Sequence, residues 1–163
     1  MEVVAACQNK GTLVAANFNS PGQIVLSGSP AAVDCAEALA RERGARRAVK
    51  LAVSGAFHSP LMEPAAEKLA AELRRTPVEK PGVPVVTNVS ARYATTADEV
   101  RDLLTLQLTS PVLWVDAMRF MAAEGMTEAV EVGPGRVLCG LLAKTDRDVA
   151  TKNIGSLDDL GTM

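Results

Sequence analysis

The order of apolar periodicities predicts an α/β protein in two parts. An incomplete ferredoxin-like small lobe is expected over residues 1–52, and a lobe built on a mainly parallel sheet over residues 53–163. Three observations predict this. Residues 2–53 read helix, strand, strand, helix, strand, which is a β-α-β-β-α-β unit without its first strand. Strand-like runs near residues 85, 130 and 150 are separated by helical segments too long for hairpins, so they are expected to lie parallel with helical crossovers. The chain is 48% hydrophobic but only 3% aromatic, so its layers must pack through Ala, Val and Leu.

The elements follow in order. Val3, Val4 and Cys7 form an apolar stripe on a short helix over residues 2–9. Residues 14–19 and 23–27 read as strands around Ser20-Pro21-Gly22, where proline presets φ and glycine accepts φ > 0, so a hairpin is expected. Residues 31–43 carry apolar side chains at helical spacing and stop at Gly44. A strand is expected at 48–53. Ser59 is expected to cap a helix from Pro60 or Leu61 to about Arg75, although Pro64 lacks the N–H for its first turn and allows a start nearer Glu63. Residues 84–89 read as a short strand. Thr96 and Glu99 have capping-box spacing ahead of Val100, Leu103, Leu104, Gln107 and Leu108 on one helix face. Ser110-Pro111 is expected to cap the next helix, which carries Trp114, Met118, Met121 and Ala122 and ends at Gly125. A strand over 127–132, the turn Gly133-Pro134-Gly135 and a helix over 136–144 complete the pattern.

Composition excludes several function classes. A net charge of −2 gives no basic field of the kind that draws a protein to nucleic acid or an anionic membrane, so neither partner is expected. No run approaches the ~20 apolar residues of a membrane span, and the first residues lack a basic, apolar leader pattern, so a cytoplasmic location is expected. Cys7, Cys35 and Cys139 are widely spaced without C-x-x-C, which points to reduced thiols rather than a disulfide framework or a metal site. Gly133-Pro134-Gly135 lacks the phosphate-loop patterns.

His58 is the only histidine. It lies in SGAFHSPLM, directly before the expected helix start and at the carboxyl end of a strand, where ligands bind in parallel α/β sheets. Imidazole takes and returns a proton near neutrality, and the positive end of a helix favours its neutral, basic form. These features suit a general base; residue type and spacing suit a surface or packing histidine as well. Gln107, set among leucines, needs a partner for its amide, and Asn88 at a strand end is placed to support the same region.

GAFHSPLMEPAAEKL resembles the histidine segment of the malonyl-CoA:acyl carrier protein transacylases. NFNSPGQIVLSG (17–28), VPVVTNV (83–89), QLTSPVLW (107–114) and EVGPGRVL (131–138) fall in that family's order and spacing, so the resemblance runs from about residue 4 to about residue 157. It implies an α/β-hydrolase-like large lobe, of which this chain supplies the C-terminal part, with the small lobe set between its halves. It further implies malonyl transfer from malonyl-CoA to the phosphopantetheine thiol of acyl carrier protein, in fatty-acid or polyketide synthesis, with a CoA thioester as substrate and no bound cofactor or metal. By the same resemblance His58 is the general base and Gln107 orients it through its main-chain carbonyl. Asn19, Gln23 and Arg47 lie along the CoA path, with Arg46 or Lys50 as substitutes for Arg47.

The nucleophile is a different matter. The family carries its acyl group on a serine in a G-x-S-x-G elbow. None of Ser20, Ser27, Ser29, Ser54, Ser59, Ser90, Ser110 and Ser156 has glycine at both minus two and plus two. The elbow, the arginine that selects the malonyl carboxylate and one oxyanion donor are expected upstream of the matched part, so this chain alone is expected to be inactive. The competing expectation is a non-catalytic ligand or interaction module derived from that fold.

Overall fold

The computed structural model describes residues 1–162. A short helix α1 (Glu2–Cys7) leads into the antiparallel hairpin β1 (Leu13–Ser20) and β2 (Gln23–Gly28), which turns at Pro21-Gly22 as expected, although Gly22 does not take the positive φ expected of it. Helix α2 (Pro30–Glu42) packs back on the hairpin. It ends in two bonds, Gly44 N–H to the Arg41 carbonyl and Ala45 N–H to the Ala40 carbonyl. With Gly44 at φ 83 this is a Schellman stop, a position that favours glycine. Val4, Cys7, Leu13, Ala32 and Ala36 are the buried centre of this part, with Leu26 and Leu39 packed around them.

Three expectations fail here. Residues 48–53 pair with no strand among the described residues, so the ferredoxin-like unit does not form as such. A strand needs an adjacent ladder, and Val49, Leu51 and Val53 stay exposed. The second concerns the cysteines: Cys7 and Cys35 form a disulfide that ties α1 to α2. Amphipathic packing sets one helix on the other with Cα atoms 5.9 Å apart, a proximity that sequence spacing does not display. Cys139 remains a buried free thiol.

The third is the capping of the histidine segment. A single 3-10 turn (Pro60–Met62) precedes helix α3 (Glu63–Arg75), and Pro64 occupies the first turn of α3, where its missing N–H costs nothing. Ser59 precedes the 3-10 turn but its hydroxyl caps neither element.

The remaining chain forms β3 (Val85–Val86), β4 (Tyr93–Ala94), α4 (Ala97–Leu106), α5 (Trp114–Ala123), β5 (Glu128–Val132), α6 (Val137–Thr145) and β6 (Ala150–Ile154). β5 and β6 are parallel in register Glu128↔Ala150 to Val132↔Ile154, with α6 as the crossover, as expected. The strand near residue 85 does not join them. A tight turn returns the chain through Thr87 N–H to the Arg92 carbonyl and Ala91 N–H to the Thr87 carbonyl, with Ala91 at φ 51, so β3 pairs antiparallel with β4. The parallel ladder among the described residues is therefore two-stranded. A second buried cluster, Ala91, Ala117, Met118, Leu142 and Val149, joins α5, α6 and this turn.

The capping box at α4 is displaced by one residue. Glu99 N–H donates to Thr96 Oγ1 at 3.1 Å, but the Glu99 carboxylate accepts from the Thr95 N–H and hydroxyl. Ser110-Pro111 caps nothing, since α5 begins at Trp114 without a side-chain cap. The segment before α5 is held by backbone bonds instead. Val112 N–H donates to the Ala16 carbonyl, Phe18 N–H to the Val112 carbonyl, and Leu113 N–H to the Asn88 carbonyl. The hairpin is thus bonded directly to the segment that follows α4.

Glu131 supplies a lock between β5 and α6. Its carboxylate accepts the N–H groups of Leu138 at 3.0 Å and Cys139 at 2.8 Å, two of the orphan donors at the start of α6. These bonds, that from Cys139 first, hold the Glu131 carboxyl below its ordinary 4.5. A folded-state pKa below the unfolded value means stability that is fully present above about pH 5 and lost as pH falls through the folded pKa. Glu131→Gln turns one acceptor into a donor facing an N–H. Its melting midpoint is therefore expected below wild type at pH 7, with the gap closing as pH falls through the lowered pKa of the folded Glu131 carboxyl. Parallel melting curves for the two proteins across pH check this, and a gap independent of pH contradicts it.

Candidate active site

The turn from Ala56 to Ser59 brings His58 against the end of α4. His58 itself has φ 60, a left-handed conformation unusual for a residue with a side chain. Two consecutive carbonyls beyond α4 hold it. His58 N–H donates to the Leu108 carbonyl at 2.9 Å, and its Nδ1 lies 2.8 Å from the Gln107 carbonyl. Since a carbonyl only accepts, Nδ1 carries the ring proton and Nε2 keeps its lone pair. The ring is half-buried.

Gln107 is the C-cap of α4, so its carbonyl is among those left without a helical partner. It also lies at the negative end of the helix dipole, where a positive charge is stabilised. The arrangement therefore does one thing that a carboxylate does beside an imidazole: it fixes the tautomer and the direction of the ring. The Gln107 side-chain amide, by contrast, is half-buried and forms no hydrogen bond among the described residues. The need that the sequence suggested for an amide partner is not met; the Gln107 atom that meets His58 is the main-chain oxygen.

The helix field invoked for His58 is displaced too. α3 begins only at Glu63, and the element nearest His58 is a 3-10 turn.

The other candidates sit on two separate features. Asn19 is half-buried near the end of β1 and Gln23 is exposed at the start of β2, flanking the hairpin turn. Arg47 is exposed in the irregular segment after α2, as is Arg46, and neither makes an ion pair among the described residues. Lys50 is engaged: its ammonium pairs with Asp34, and that hydrogen bond raises its pKa. Of the three cations considered for a phosphate, Arg46 and Arg47 are thus the ones left unengaged. Asn88 contributes its carbonyl to Leu113 N–H.

Two depressions open elsewhere, neither of them lined by His58. One of about 450 Å³ lies against β5 and β6 with Arg136, Lys152 and Asn153 on its wall. One of about 440 Å³ lies beside Arg92, Asp116, Arg119 and Phe120. Among the described residues no group of three or more His, Cys, Asp or Glu side chains is placed to hold a metal ion, and no helix is long and apolar enough to cross a membrane.

Sequence reasoning missed the Leu108 carbonyl and the burial of Ser59. Main-chain atoms carry no residue signature, and burial at a loop follows from tertiary packing.

Residues 2–163 match the acyl transferase domain family. The chain is 45% identical over 151 residues to the malonyl CoA-acyl carrier protein transacylase of Bacillus subtilis (strain 168), covering 92% of this chain and 48% of that protein. To the transacylase of the same name in Escherichia coli (strain K12) it is 43% identical over 164 residues, covering 99% of this chain and 52% of the relative. Among solved structures, the malonyl-CoA:acyl carrier protein transacylase of Xanthomonas oryzae pv. oryzae superposes with TM-score 0.94 at 42% identity, covering 99% of this chain and 51% of the other. A malonyl-transacylase solved in complex with a type II PKS acyl-carrier protein superposes with TM-score 0.94 at 35% identity, over 99% and 52% of the two chains. The chain spans about half the length of these relatives. Mixed α/β in fold and matched to the family over nearly all its residues, the chain belongs to the acyl transferase domain family and is similar to the malonyl-CoA:acyl carrier protein transacylases within it.

Proposed function

We propose that this chain supplies the general base of a malonyl-CoA:acyl carrier protein transacylase whose serine nucleophile lies outside these 163 residues. The observation that carries the reading is the 2.8 Å contact between His58 Nδ1 and the Gln107 carbonyl at the end of α4, which leaves Nε2 as a base of fixed direction. The names of the similar proteins supply malonyl-CoA and an acyl carrier protein as the substrate and partner to test.

In this reading His58 Nε2 accepts the serine proton as the serine oxygen attacks the malonyl thioester carbonyl. The imidazolium then returns that proton to the departing CoA thiolate. In the second half, Nε2 accepts the proton of the carrier's phosphopantetheine thiol, whose sulfur attacks the malonyl-serine ester; the serine leaves with the proton from His58. Both half-reactions pass through an imidazolium, whose ring the Gln107 carbonyl holds in one direction each time.

Asn19 and Gln23 serve as amide partners for the pantetheine arm, and Arg47 as a phosphate partner for CoA. A lobe boundary at residues 52/53 agrees with the two buried clusters, and the Val112 bonds to β1 tie the lobes together. The reading calls for no bound cofactor, nucleic acid or membrane, and fits a cytoplasmic enzyme of fatty-acid or polyketide synthesis.

The test is an assay of malonyl transfer from malonyl-CoA to a holo carrier protein. The chain alone is expected to give none. Joined to the other half of its Bacillus subtilis relative, which it matches over 48% of that protein's length, it is expected to support turnover. Turnover by the chain alone contradicts the proposal, and absence of turnover in the joined protein favours the non-catalytic module.

A further inference from the structure

Ser59 is wholly buried, and among the described residues Ser20 is the other buried polar one. Acyl transfer as written above gives Ser59 no task, nor does it cap a helix. Its hydroxyl donates to the Ala56 carbonyl at 2.6 Å, and its own carbonyl accepts the Met62 N–H at 3.0 Å.

The first of these bonds closes the turn from Ala56 to Ser59. Phe57 and His58 are the two central residues, and the second of them has φ 60. Glycine is the usual occupant of such a position, because a Cβ there is crowded by the backbone. Histidine holds this conformation only while its surroundings over-determine it. The Leu108 and Gln107 carbonyls constrain His58 from outside the turn. From inside, the Ser59 hydroxyl is the side-chain bond that constrains it. Without that bond the turn can relax toward negative φ, and a change in φ swings the Cα–Cβ bond and carries the ring off the Gln107 carbonyl.

We propose that Ser59 is a positioning residue for His58: its buried hydroxyl latches the Ala56–Ser59 turn so that Nδ1 meets the Gln107 carbonyl and Nε2 keeps one direction. Its catalytic consequence rests on the reading of His58 as the base, but the latch itself is measurable without activity. His58 is the only histidine, so the ring ¹⁵N signals of the full chain belong to one residue.

In its neutral imidazole form the wild-type chain is expected to show the Nδ1–H tautomer alone, with a slowly exchanging ring N–H. Ser59→Ala, with far-UV dichroism unchanged, is expected to show a mixture in which Nε2–H, the form favoured by imidazole in water, becomes the larger part. Ser59→Cys fills the same space with a weak donor and is expected to behave likewise, which secures the test if the alanine variant fails to fold. A folded variant that keeps the wild-type tautomer overturns the proposal, and so does loss of fold in both variants, since Ser59 is then structural only.

In the joined enzyme, Ser59→Ala is expected to lower kcat by on the order of 10²-fold with KM little changed, the loss typical of a misplaced catalytic group. A tautomer mixture with undiminished transfer supports the latch and refutes the base. An unchanged tautomer refutes the latch whatever the rate.

Discussion

His58→Ala, in the chain joined to a serine-bearing half, is expected to lower malonyl transfer by about 10²- to 10⁴-fold while the protein stays folded. The loss can exceed that range because a nucleophile and its base act as a unit. Two hydrogen bonds reach His58, and one of them, from its backbone N–H to the Leu108 carbonyl, survives the substitution. The structural cost is then about 1 kcal/mol, the net value of a typical hydrogen bond. His58→Asn is the better control for folding, because asparagine tolerates the left-handed backbone yet cannot act as a base near neutrality. Gln107→Ala is expected to be milder than either, within about tenfold of wild type, since the carbonyl that holds Nδ1 remains. Steady-state kinetics on the three variants check the ranking, and near-normal turnover by His58→Ala contradicts it.

Cys35→Ser is expected to cost about 3.5 kcal/mol of stability, the chain-entropy value for opening a loop of 28 residues. That is a large share of the 5–15 kcal/mol that holds a typical domain together. Denaturant unfolding of wild type with and without reductant should reproduce the same difference. Under non-reducing, denaturing conditions a single thiol, that of Cys139, should titrate. Three titrating thiols, or a midpoint indifferent to reductant, contradict the bridge between α1 and α2.

Local chemistry made part of the fold legible. Ser20-Pro21-Gly22 and Gly44 announce a turn and a helix stop, and both are found where they read, although only Gly44 uses the positive φ that glycine permits. A strand was expected at 48–53 as well, but a strand is completed by its neighbour, and none of the described residues provides one. β3 and β4 have two residues each and depend on Ala91 accepting a positive φ, which nothing in alanine advertises. The Cys7–Cys35 pair was hidden for a related reason, since two helices had to be packed before 28 residues of separation became 5.9 Å.

The site divides in the same way. His58 was visible from residue type. Its fixed orientation was not, because the Gln107 and Leu108 carbonyls belong to the main chain; family resemblance pointed to the first and nothing pointed to the second. The Ser59 hydroxyl read as a cap, yet it bonds backwards into the histidine turn.

The division of labour between base and nucleophile is tested most directly by locating the acyl group. The joined enzyme is incubated with malonyl-CoA without carrier protein, quenched and digested, and the malonylated peptide is identified by mass spectrometry. The malonyl group is expected on a serine of the added half, with none on the peptides of residues 1–163. Stoichiometric malonyl on Ser20, Ser27, Ser29, Ser54, Ser59, Ser90, Ser110 or Ser156 would contradict the account, because the chain would then carry its own nucleophile.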